Sequence, residues 1–211
     1  MDLRGKIALV TGGGTGIGKA TSLALASHGV AVAVNYSRSE AEANETVREI
    51  VDAGGRAVAV RASVAHDDEV RAMADRVATE LGGIDLLVNC AGITRYIAMK
   101  DLEGVTDEAW DAIFAVNLKG AFYCARAVAP HIRARGGSAI VNVTSAGGLT
   151  GDGSSLPYSV SKAAAIGLTR SLARALAPQI RVCGVAPGIV MTRWVEGREE
   201  HVRRLSEGSL L

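Results

Sequence analysis

The sequence predicts an α/β fold in which a doubly wound parallel sheet lies between two layers of helices. Apolar runs of strand length alternate with longer segments that have helical periodicity. The runs are continuously apolar, as expected for parallel strands that are buried on both faces. Right-handed crossovers between successive strands then produce three αβα layers. The chain has 211 residues, of which 48% are hydrophobic, and this suits one domain over 1–211.

The apolar runs and the segments between them place the individual elements. We predict strands at 6–11, 30–36, 56–62, 84–89, 139–144 and 180–186. We predict helices at 16–28, 39–53, 66–81, 107–135 and 158–176. The fourth helix is either continuous or split near Lys119 and Gly120, and the fifth begins after Pro157.

Local signals mark several helix ends. Ser39 and Glu42 have the spacing of a capping box at the start of the second helix. Gly54 and Gly55 end that helix. The third helix carries acidic residues at 67–69, where the helix dipole favours negative charge.

The composition argues against several classes of protein. A formal net charge of +1 disfavours a general nucleic-acid binder and a polybasic membrane anchor. The N-terminal apolar run IALV is too short for a signal peptide, and no stretch approaches the roughly 20 apolar residues of a membrane span. Cys90, Cys124 and Cys183 lack metal-site spacing, so we expect reduced thiols in a cytoplasmic protein and no metal ion.

A glycine-rich turn, TGGGTGIG at 11–18, joins the first strand to the first helix. Gly12, Gly16 and Gly18 give it the spacing GxxxGxG. Glycines let the turn tighten and let a pyrophosphate approach the backbone, while the helix N-terminus offers free N–H groups and a positive dipole end. The turn therefore predicts a dinucleotide site, with Thr15 and Ile17 as further contacts.

Tyr158 and Lys162 lie four residues apart on the last predicted helix, so their side chains share one face. A free tyrosine, with a pKa of about 10, is a poor acid or base near neutral pH. We expect the neighbouring ammonium to stabilise the phenolate and lower the pKa of Tyr158. Ser145 ends the fifth strand, where open α/β sheets bind ligands. The three residues predict proton exchange with a carbonyl or alcohol oxygen.

Together, these motifs resemble the short-chain dehydrogenase/reductase family from residue 6 to about residue 198. The resemblance implies a Rossmann-type sheet and an oxidoreductase that moves a hydride between a nicotinamide and a carbonyl or secondary alcohol. It implies that Tyr158 transfers the proton and that Ser145 orients the substrate oxygen. Lys162 lowers the pKa of the tyrosine and binds the nicotinamide ribose. Asn117, in the sequence VNLKG, holds a water that links the lysine to solvent.

The same resemblance supplies the contacts with the cofactor. NCAG at 89–92 resembles the family's NNAG, which steadies the central sheet beside the cofactor. PGIVMT at 187–192 resembles the segment that lines the nicotinamide, with Thr192 near its carboxamide. The expected cofactor-binding residues are Gly12, Thr15, Gly16, Ile17, Gly18, Asn35, Ser37, Arg38, Ser63, Val64, Asn89, Ala91, Gly92, Tyr158, Lys162, Pro187, Gly188, Ile189 and Thr192.

The end of the second strand bears on the choice of cofactor. A carboxylate there would bind the ribose 2′-hydroxyl of NAD(H), but this chain has the sequence NYSR, whose Ser37 and Arg38 suit a 2′-phosphate. Thr15 stands where many NADP(H)-dependent relatives carry a basic residue. Ser63 stands where many relatives carry an aspartate near the adenine. NADP(H) is therefore favoured, and NAD(H) remains an alternative.

Within the family, the sequence is most similar to the 3-oxoacyl-acyl-carrier-protein reductases, a group whose relatives also act on sugars, small alcohols and steroids. Reduction of a 3-oxoacyl thioester, free or carried by a protein, is the favoured reaction. Four arginines suit an acidic carrier protein, although solvated helix faces explain them more simply. They are Arg133, Arg135, Arg170 and Arg174. The resemblance also implies a homodimer or homotetramer, with the helices at 107–135 and 157–177 pairing in the dimer.

The segment after the sixth strand is shorter than in the family, whose members continue into a helix over the active site and a seventh strand. We therefore expect the sixth strand to form an exposed edge, and 194–211 to begin the substrate loop and helix. A truncated, inactive dinucleotide-binding module is the main alternative to an enzyme. Ser145 lacks the GxSxG motif of a serine hydrolase, and Lys19 is not followed by the serine or threonine of a P-loop.

Overall fold

Six parallel strands form one sheet in the computed structural model, which describes residues 2–198, 200, 202 and 203. The strands are β1 (Ile7–Thr11), β2 (Ala31–Tyr36), β3 (Ala57–Arg61), β4 (Leu86–Asn89), β5 (Ala139–Val143) and β6 (Arg181–Val185). Their order is β3-β2-β1-β4-β5-β6, and every neighbouring pair is parallel. The predicted doubly wound α/β fold is confirmed.

The helices alternate with the strands, and the bounds differ from the predicted ones by one or two residues. They are α1 (Gly16–Ser27), α2 (Glu40–Asp52), α3 (Asp67–Leu81), α4 (Asp107–Phe114), α5 (Ala121–Ala134), α6 (Gly147–Thr150) and α7 (Leu156–Leu176). A π-helical segment, Ala115–Gly120, joins α4 to α5, so the helix predicted at 107–135 is continuous but locally widened. The sequence did not predict α6 or the 3₁₀ turn Arg193–Val195.

Two helix starts differ from the prediction. α7 begins two residues early because the Ser155 side chain accepts a hydrogen bond from the Tyr158 N–H and Pro157 fits the first turn. The predicted capping box of α2 is wrong, since Ser39 makes no side-chain capping bond. Instead, the Arg193 guanidinium binds both Ser39 Oγ and Glu42 Oε1, each at 2.9 Å.

Apolar side chains cover both faces of the sheet. Successive residues of a strand point to opposite faces, so Leu9 belongs to one buried cluster and Val10 to the other. The cluster around Leu9 includes Met73 of α3 and Ile132 of α5, whereas the cluster around Val10 includes Ile50 of α2. Burial on both faces explains why the sequences of the strands are apolar throughout.

β6 forms one edge of the sheet among the described residues, with four of its five residues exposed. The edge position agrees with the sequence-based expectation. After it, the chain passes through the 3₁₀ turn, and 200, 202 and 203 are helical. Most of the predicted substrate helix, at 199, 201 and 204–211, lies outside the described residues.

The stretch Asp107–Ala134 is long and apolar enough to cross a membrane by length and composition alone. Core helices of globular proteins pass the same test. Here Cys124, Val128 and Ile132 of α5 are buried in the cluster that includes α3. The stretch is weak evidence for a span, and the expected absence of a membrane partner stays a prediction.

A buried carboxylate joins the start of β1, the start of β4 and the end of α5. The Asp85 side chain is fully buried and accepts hydrogen bonds from Lys6 Nζ, Arg135 Nε and the Ile7 N–H, all at 3.0 Å. Burial raises the pKa of Asp85, but the hydrogen bonds from Arg135, Lys6 and Ile7 outweigh burial and leave the pKa below its usual value. Arg135, one of the four arginines suggested for a carrier protein, is therefore engaged within the fold.

Asp85→Asn should lower the free energy of unfolding at pH 7 by about 2 kcal/mol, because it removes the charge that pairs with two partly buried cations. The folded-state pKa of Asp85 is lowered, so its stabilisation is present above the unfolded pKa of about 4 and is lost as the pH falls through the folded pKa. Urea unfolding between pH 3 and pH 7 measures both effects.

The control is Asp75→Asn, which removes a carboxylate that is 75% exposed. We expect this variant to be within about 0.5 kcal/mol of wild type. A difference between wild type and Asp85→Asn that stays constant across this pH range would contradict the assignment.

Candidate active site

A cleft of about 1090 Å³ opens at the carboxyl ends of the strands. It lies where the strand order reverses between β1 and β4, because the crossovers that follow these strands leave in opposite directions. Open α/β folds bind ligands at this point. Most of the residues predicted for the site line this cleft, and they come from the ends of all six strands and from α7.

The glycine turn forms one wall of the cleft. Gly12 and Gly16 have φ values of +62° and +50°, which residues other than glycine rarely adopt. A Cβ on Gly12 would lie 3.1 Å from the Cα of Ala91, and one on Gly18 would collide with the Gly12 carbonyl. The turn therefore needs glycine for its shape, and it leaves the N-terminus of α1 open to the cleft for an anion.

Two polar side chains hold the turn in place. Thr11 Oγ1 accepts hydrogen bonds from the N–H groups of Cys90 and Ala91, both at 3.0 Å. Asn35 Oδ1 accepts the Gly12 N–H at 3.3 Å, and its Nδ2 donates to the Ala62 carbonyl at 3.0 Å. Asn35 was predicted as a cofactor contact, but its side chain is used to join the turn to β2 and β3.

The far end of the cleft is lined by the residues predicted for the adenosine. Ser37 and Arg38 follow β2 and are exposed, while Ser63 and Val64 follow β3. The Ser63 N–H donates to Glu69 Oε2 at 2.8 Å, so this loop is tied to α3. Among the described residues that line this end of the cleft none is a carboxylate, although Glu42 pairs with Arg193 beside Ser39.

Ser145, Tyr158 and Lys162 meet at the other end of the cleft. Ser145 lies two residues beyond β5, and α7 carries the other two on one face. The Ser145 and Tyr158 side chains are hydrogen-bonded to each other. Lys162 Nζ lies 5.9 Å from the centre of the Tyr158 ring and donates to the Val143 carbonyl at 2.9 Å. The predicted grouping of the three side chains is present.

The predicted direction of the tyrosine shift is wrong for this structure. Burial raises the pKa of Tyr158 above 10, the Ser145 hydrogen bond lowers it only in part, and Tyr96 raises it further. Lys162 is not a cause of the shift, since its ammonium turns to the Val143 carbonyl. Tyr158 is therefore a protonated phenol near neutral pH.

The pKa of Lys162 is shifted in the opposite direction. Burial lowers the pKa of its ammonium from 10.5 to about 8, and only the Cys90 thiol opposes the change. Burial also raises the pKa of Cys90 to about 11, so this thiol is a poor nucleophile. Lys162 is the one group in this cluster whose pKa lies close to neutral pH, which suits a residue that accepts and returns protons.

Asn117 lies behind this cluster, in the π-helical segment. Its Oδ1 accepts the Ile93 N–H at 2.9 Å, and its Nδ2 donates to the Ile93 carbonyl and to Ser161 Oγ, both at 3.0 Å. π-Helical segments within α-helices occur frequently at functional sites. Here the segment aims Asn117 at the loop after β4 and at α7, and so fixes their spacing.

Comparison with known proteins agrees with this geometry. A family model described as short chain dehydrogenase matches residues 6–203. The chain belongs to the short-chain dehydrogenase family. It is therefore an oxidoreductase that acts on carbonyl or alcohol groups with a nicotinamide cofactor, and the resemblance seen in the sequence is confirmed.

Several relatives of this dehydrogenase have names that state an activity. A 3-oxoacyl-[acyl-carrier-protein] reductase from Synechocystis is 41% identical over 195 residues, which cover 92% of this chain and 78% of that protein. A reductase of the same name from Staphylococcus aureus is 39% identical, with coverage of 94% and 80%. The crystal structure of a short chain dehydrogenase from Burkholderia cenocepacia in complex with NADP has a TM-score of 0.88 and 38% identity, with coverage of 97% and 83%.

Three predicted residues of this dehydrogenase do not line the cleft. Asn117 forms hydrogen bonds with Ile93 and Ser161, which connect it to the loop after β4 and to α7. Gly18 packs beneath Gly12. Asn89 is buried and donates to Asn142 Oδ1 at 2.9 Å, so it ties β4 to β5. These residues position the site from behind.

Sequence reasoning missed an aromatic wall and a cation. The Trp194 ring lies 6.2 Å from the Tyr158 ring. The backbone carbonyl of Trp194 accepts a hydrogen bond from the Tyr96 hydroxyl at 2.7 Å. Arg193 reaches the opposite end of the cleft, at Ser39. The only signal was their position directly after PGIVMT, since Tyr96 and Ser39 lie 98 and 154 residues away in the chain and Tyr158 lies on another element. Thr192, expected near the carboxamide, lies against Gly16.

Lys162→Met should raise the free energy of unfolding at pH 7 by on the order of 2 kcal/mol, because folding removes this ammonium from water. The folded-state pKa of about 8 is below the unfolded value of 10.5. The cost is therefore full below pH 8 and disappears as the pH rises to 10.5.

Urea unfolding at pH 7 and pH 10 checks the sign, with Lys100→Met, at an exposed lysine, as control. The gain for Lys162→Met should shrink at pH 10. Loss of stability at pH 7 would show that the hydrogen bond to Val143 outweighs the burial of the charge.

Proposed function

We propose that this dehydrogenase is an NADP(H)-dependent reductase of 3-oxoacyl thioesters. The observation that carries the proposal is the meeting of Ser145, Tyr158 and Lys162 in the same cleft as an open glycine turn. A phenol, a hydroxyl and an ammonium at one end, and an anion cradle at the other, suit a dinucleotide and a carbonyl substrate side by side.

The residues of the cleft fit a dinucleotide. Gly12 and Gly16 leave space where a Cβ would stand, and the N-terminus of α1 favours the charge of a pyrophosphate. Tyr158 and Lys162 would hold the nicotinamide end, with Pro187, Gly188 and Ile189 of the cleft wall as expected contacts. When bound, the nicotinamide supplies or accepts the hydride.

The side chains of the chain would manage the proton. The Ser145 hydroxyl donates a hydrogen bond to the substrate carbonyl and orients it. The Tyr158 phenol donates its proton to the oxygen as negative charge develops there, and its raised pKa keeps that proton available near neutral pH. Lys162, with a pKa of about 8, can then return a proton to the phenolate. A protonated tyrosine that is recharged by Lys162 favours reduction of a carbonyl.

NADP(H) is the proposed cofactor because the end of β2 offers Ser37 and Arg38 and no carboxylate. A cation and a hydroxyl suit a phosphate on the ribose, whereas NAD(H) sites place an acid there. The NADP complex of the Burkholderia cenocepacia relative supports the same choice.

The names of the Synechocystis and Staphylococcus aureus relatives support a 3-oxoacyl thioester as the substrate. The predicted substrate loops, at 93–101, at 147–156 and after Gly188, all contribute to the cleft. For a carrier-bound substrate, Arg133, Arg170 and Arg174 are exposed cations, whereas Arg135 is paired with Asp85.

We further propose a cytoplasmic homodimer or homotetramer. Three free cysteines are consistent with a reducing compartment. The helices expected to pair carry exposed apolar side chains, Phe122 on α5 and Val160 on α7, which are 37% and 42% exposed. Apolar groups on a helix face suit burial between two copies.

Tyr158→Phe should lower kcat by about a thousandfold and leave the affinity for NADPH within about threefold, because it removes only the proton donor. The measurement is NADPH oxidation with a 3-oxoacyl thioester, together with a cofactor titration. Tyr123→Phe, on α5 and outside the cleft, is the control. Wild-type protein that binds NADPH but turns over no carbonyl substrate would support the binding-module alternative.

Arg38→Ala should weaken NADPH binding by about tenfold or more and change NADH binding by less than about twofold, because only NADPH carries the 2′-phosphate. Fluorescence titration measures both. Arg48→Ala, at an arginine that is 69% exposed on α2, controls for loss of surface charge. Equal weakening of both cofactors would remove Arg38 from the phosphate site.

A further inference from the structure

We propose that Arg193 is a second cation for the 2′-phosphate, held beside Arg38 by its hydrogen bond to Ser39. The proposal rests on the proposed use of NADP(H) and adds a residue outside the predicted set. Arg193 lies on the 3₁₀ turn after β6, more than 150 residues from the end of β2, and lines the same cleft as Ser37 and Arg38.

The guanidinium of Arg193 spans the adenosine end of the cleft. Its Nη2 donates to Ser39 Oγ and its Nη1 pairs with Glu42 Oε1, both at 2.9 Å. Ser39 follows Arg38 directly in the chain and also lines the cleft. The two hydrogen bonds therefore hold the guanidinium beside the residues that bind the phosphate in the proposed function.

The backbone of Arg193 is anchored on both sides. Thr192, which precedes it, lies against the glycine turn, with its Cγ2 3.3 Å from where a Cβ of Gly16 would stand. The N–H of Trp194, which follows it, donates to Thr192 Oγ1 at 3.3 Å. The segment thus lies over the pyrophosphate cradle, and the Arg193 side chain extends from there to the adenosine end.

The charges that NADP(H) would bring to this end favour a second cation. A phosphate monoester carries a charge of about −1.5 to −2 near neutral pH, and Glu42 adds another negative charge. The glycine turn has Thr15 where a basic residue would assist. Arg38 alone does not balance these charges, and it forms no ion pair with any described residue.

Arg193 can serve Glu42 and the phosphate together. A guanidinium has five N–H donors in a planar fork, and Ser39 and Glu42 use only part of them. With NADPH, the remaining donors and the charge face the 2′-phosphate. With NADH, the ribose has a hydroxyl instead, and Arg193 keeps only its bonds to Ser39 and Glu42. The residue therefore contributes to selectivity between the two cofactors.

The test compares Arg193→Gln with wild type by titration of NADPH, NADH and adenosine 2′,5′-bisphosphate. Arg193→Gln should weaken NADPH and the bisphosphate by about tenfold to a hundredfold, and NADH by less than about twofold. Arg193→Lys, which keeps the charge without the fork, should fall between. Arg198→Gln is the control, because Arg198 lies in the same segment but over the Tyr96 ring.

Glu42→Gln gives a test of opposite sign. It removes the carboxylate that competes for Arg193 and repels the phosphate, so NADPH should bind a few times more tightly while NADH is unchanged. If the Arg193–Glu42 contact only held the cleft closed over any dinucleotide, Arg193→Gln and Glu42→Gln would each weaken the binding of NADPH and NADH equally. That result would overturn the proposal.

Titration of the wild-type protein distinguishes an error in the role of Arg193 from an error in the proposed cofactor. If wild type prefers NADPH and Arg193→Gln keeps that preference, the role of Arg193 is wrong and the proposed function stands. If wild type binds NADH as tightly as NADPH, the proposed cofactor is wrong, and the role of Arg193 falls with it.

Discussion

The divergence of the chain at the carboxyl ends of β1 and β4 is the constraint on which the site depends. Because successive crossovers leave these two strands in opposite directions, a crevice opens between them that no side chain has to fill. Thr11 Oγ1 bridges the crevice at its base by binding the Cys90 and Ala91 N–H groups. The glycine turn, the loop after β4 and the Ser145 loop all start from strands on either side of this point, so their relative positions follow from the register of the sheet.

The site combines groups that burial has shifted in opposite directions. Tyr158 is held protonated and Lys162 is brought close to neutral pH, in each case because the charged form is poorly solvated there. Such groups cost stability, and the fold supports them with an interior that is otherwise apolar or well paired, as at Asp85. The polar side chains of Asn89 and Asn117, behind the cleft, form hydrogen bonds with neighbouring elements. They therefore set distances within the site.

Much of this arrangement is local, and the sequence predicts local features well. The TGGGTGIG turn, the Tyr158–Lys162 spacing and the apolar strands each report on neighbouring residues, and all three are present in the structure. Features set by distant partners were not predictable. Ser39 and Glu42 have capping-box spacing, but Arg193 takes both side chains. The pKa of Tyr158 depends on burial and on where Lys162 points, and neither can be learned from a spacing of four residues. Trp194 meets Tyr96 and Tyr158 only through the fold.

Deuterium transfer from NADPH tests whether this cleft brings a carbonyl carbon against a nicotinamide. NADPH that carries deuterium at the transferred C4 position would be incubated with the protein and a 3-oxoacyl thioester, and the product analysed by mass spectrometry and NMR. We expect one deuterium on the new carbinol carbon, appearing at the same rate as the cofactor is oxidised. NADPH that is oxidised with no deuterium in the thioester product, or that binds and stays unoxidised across a range of carbonyl substrates, would contradict this expectation.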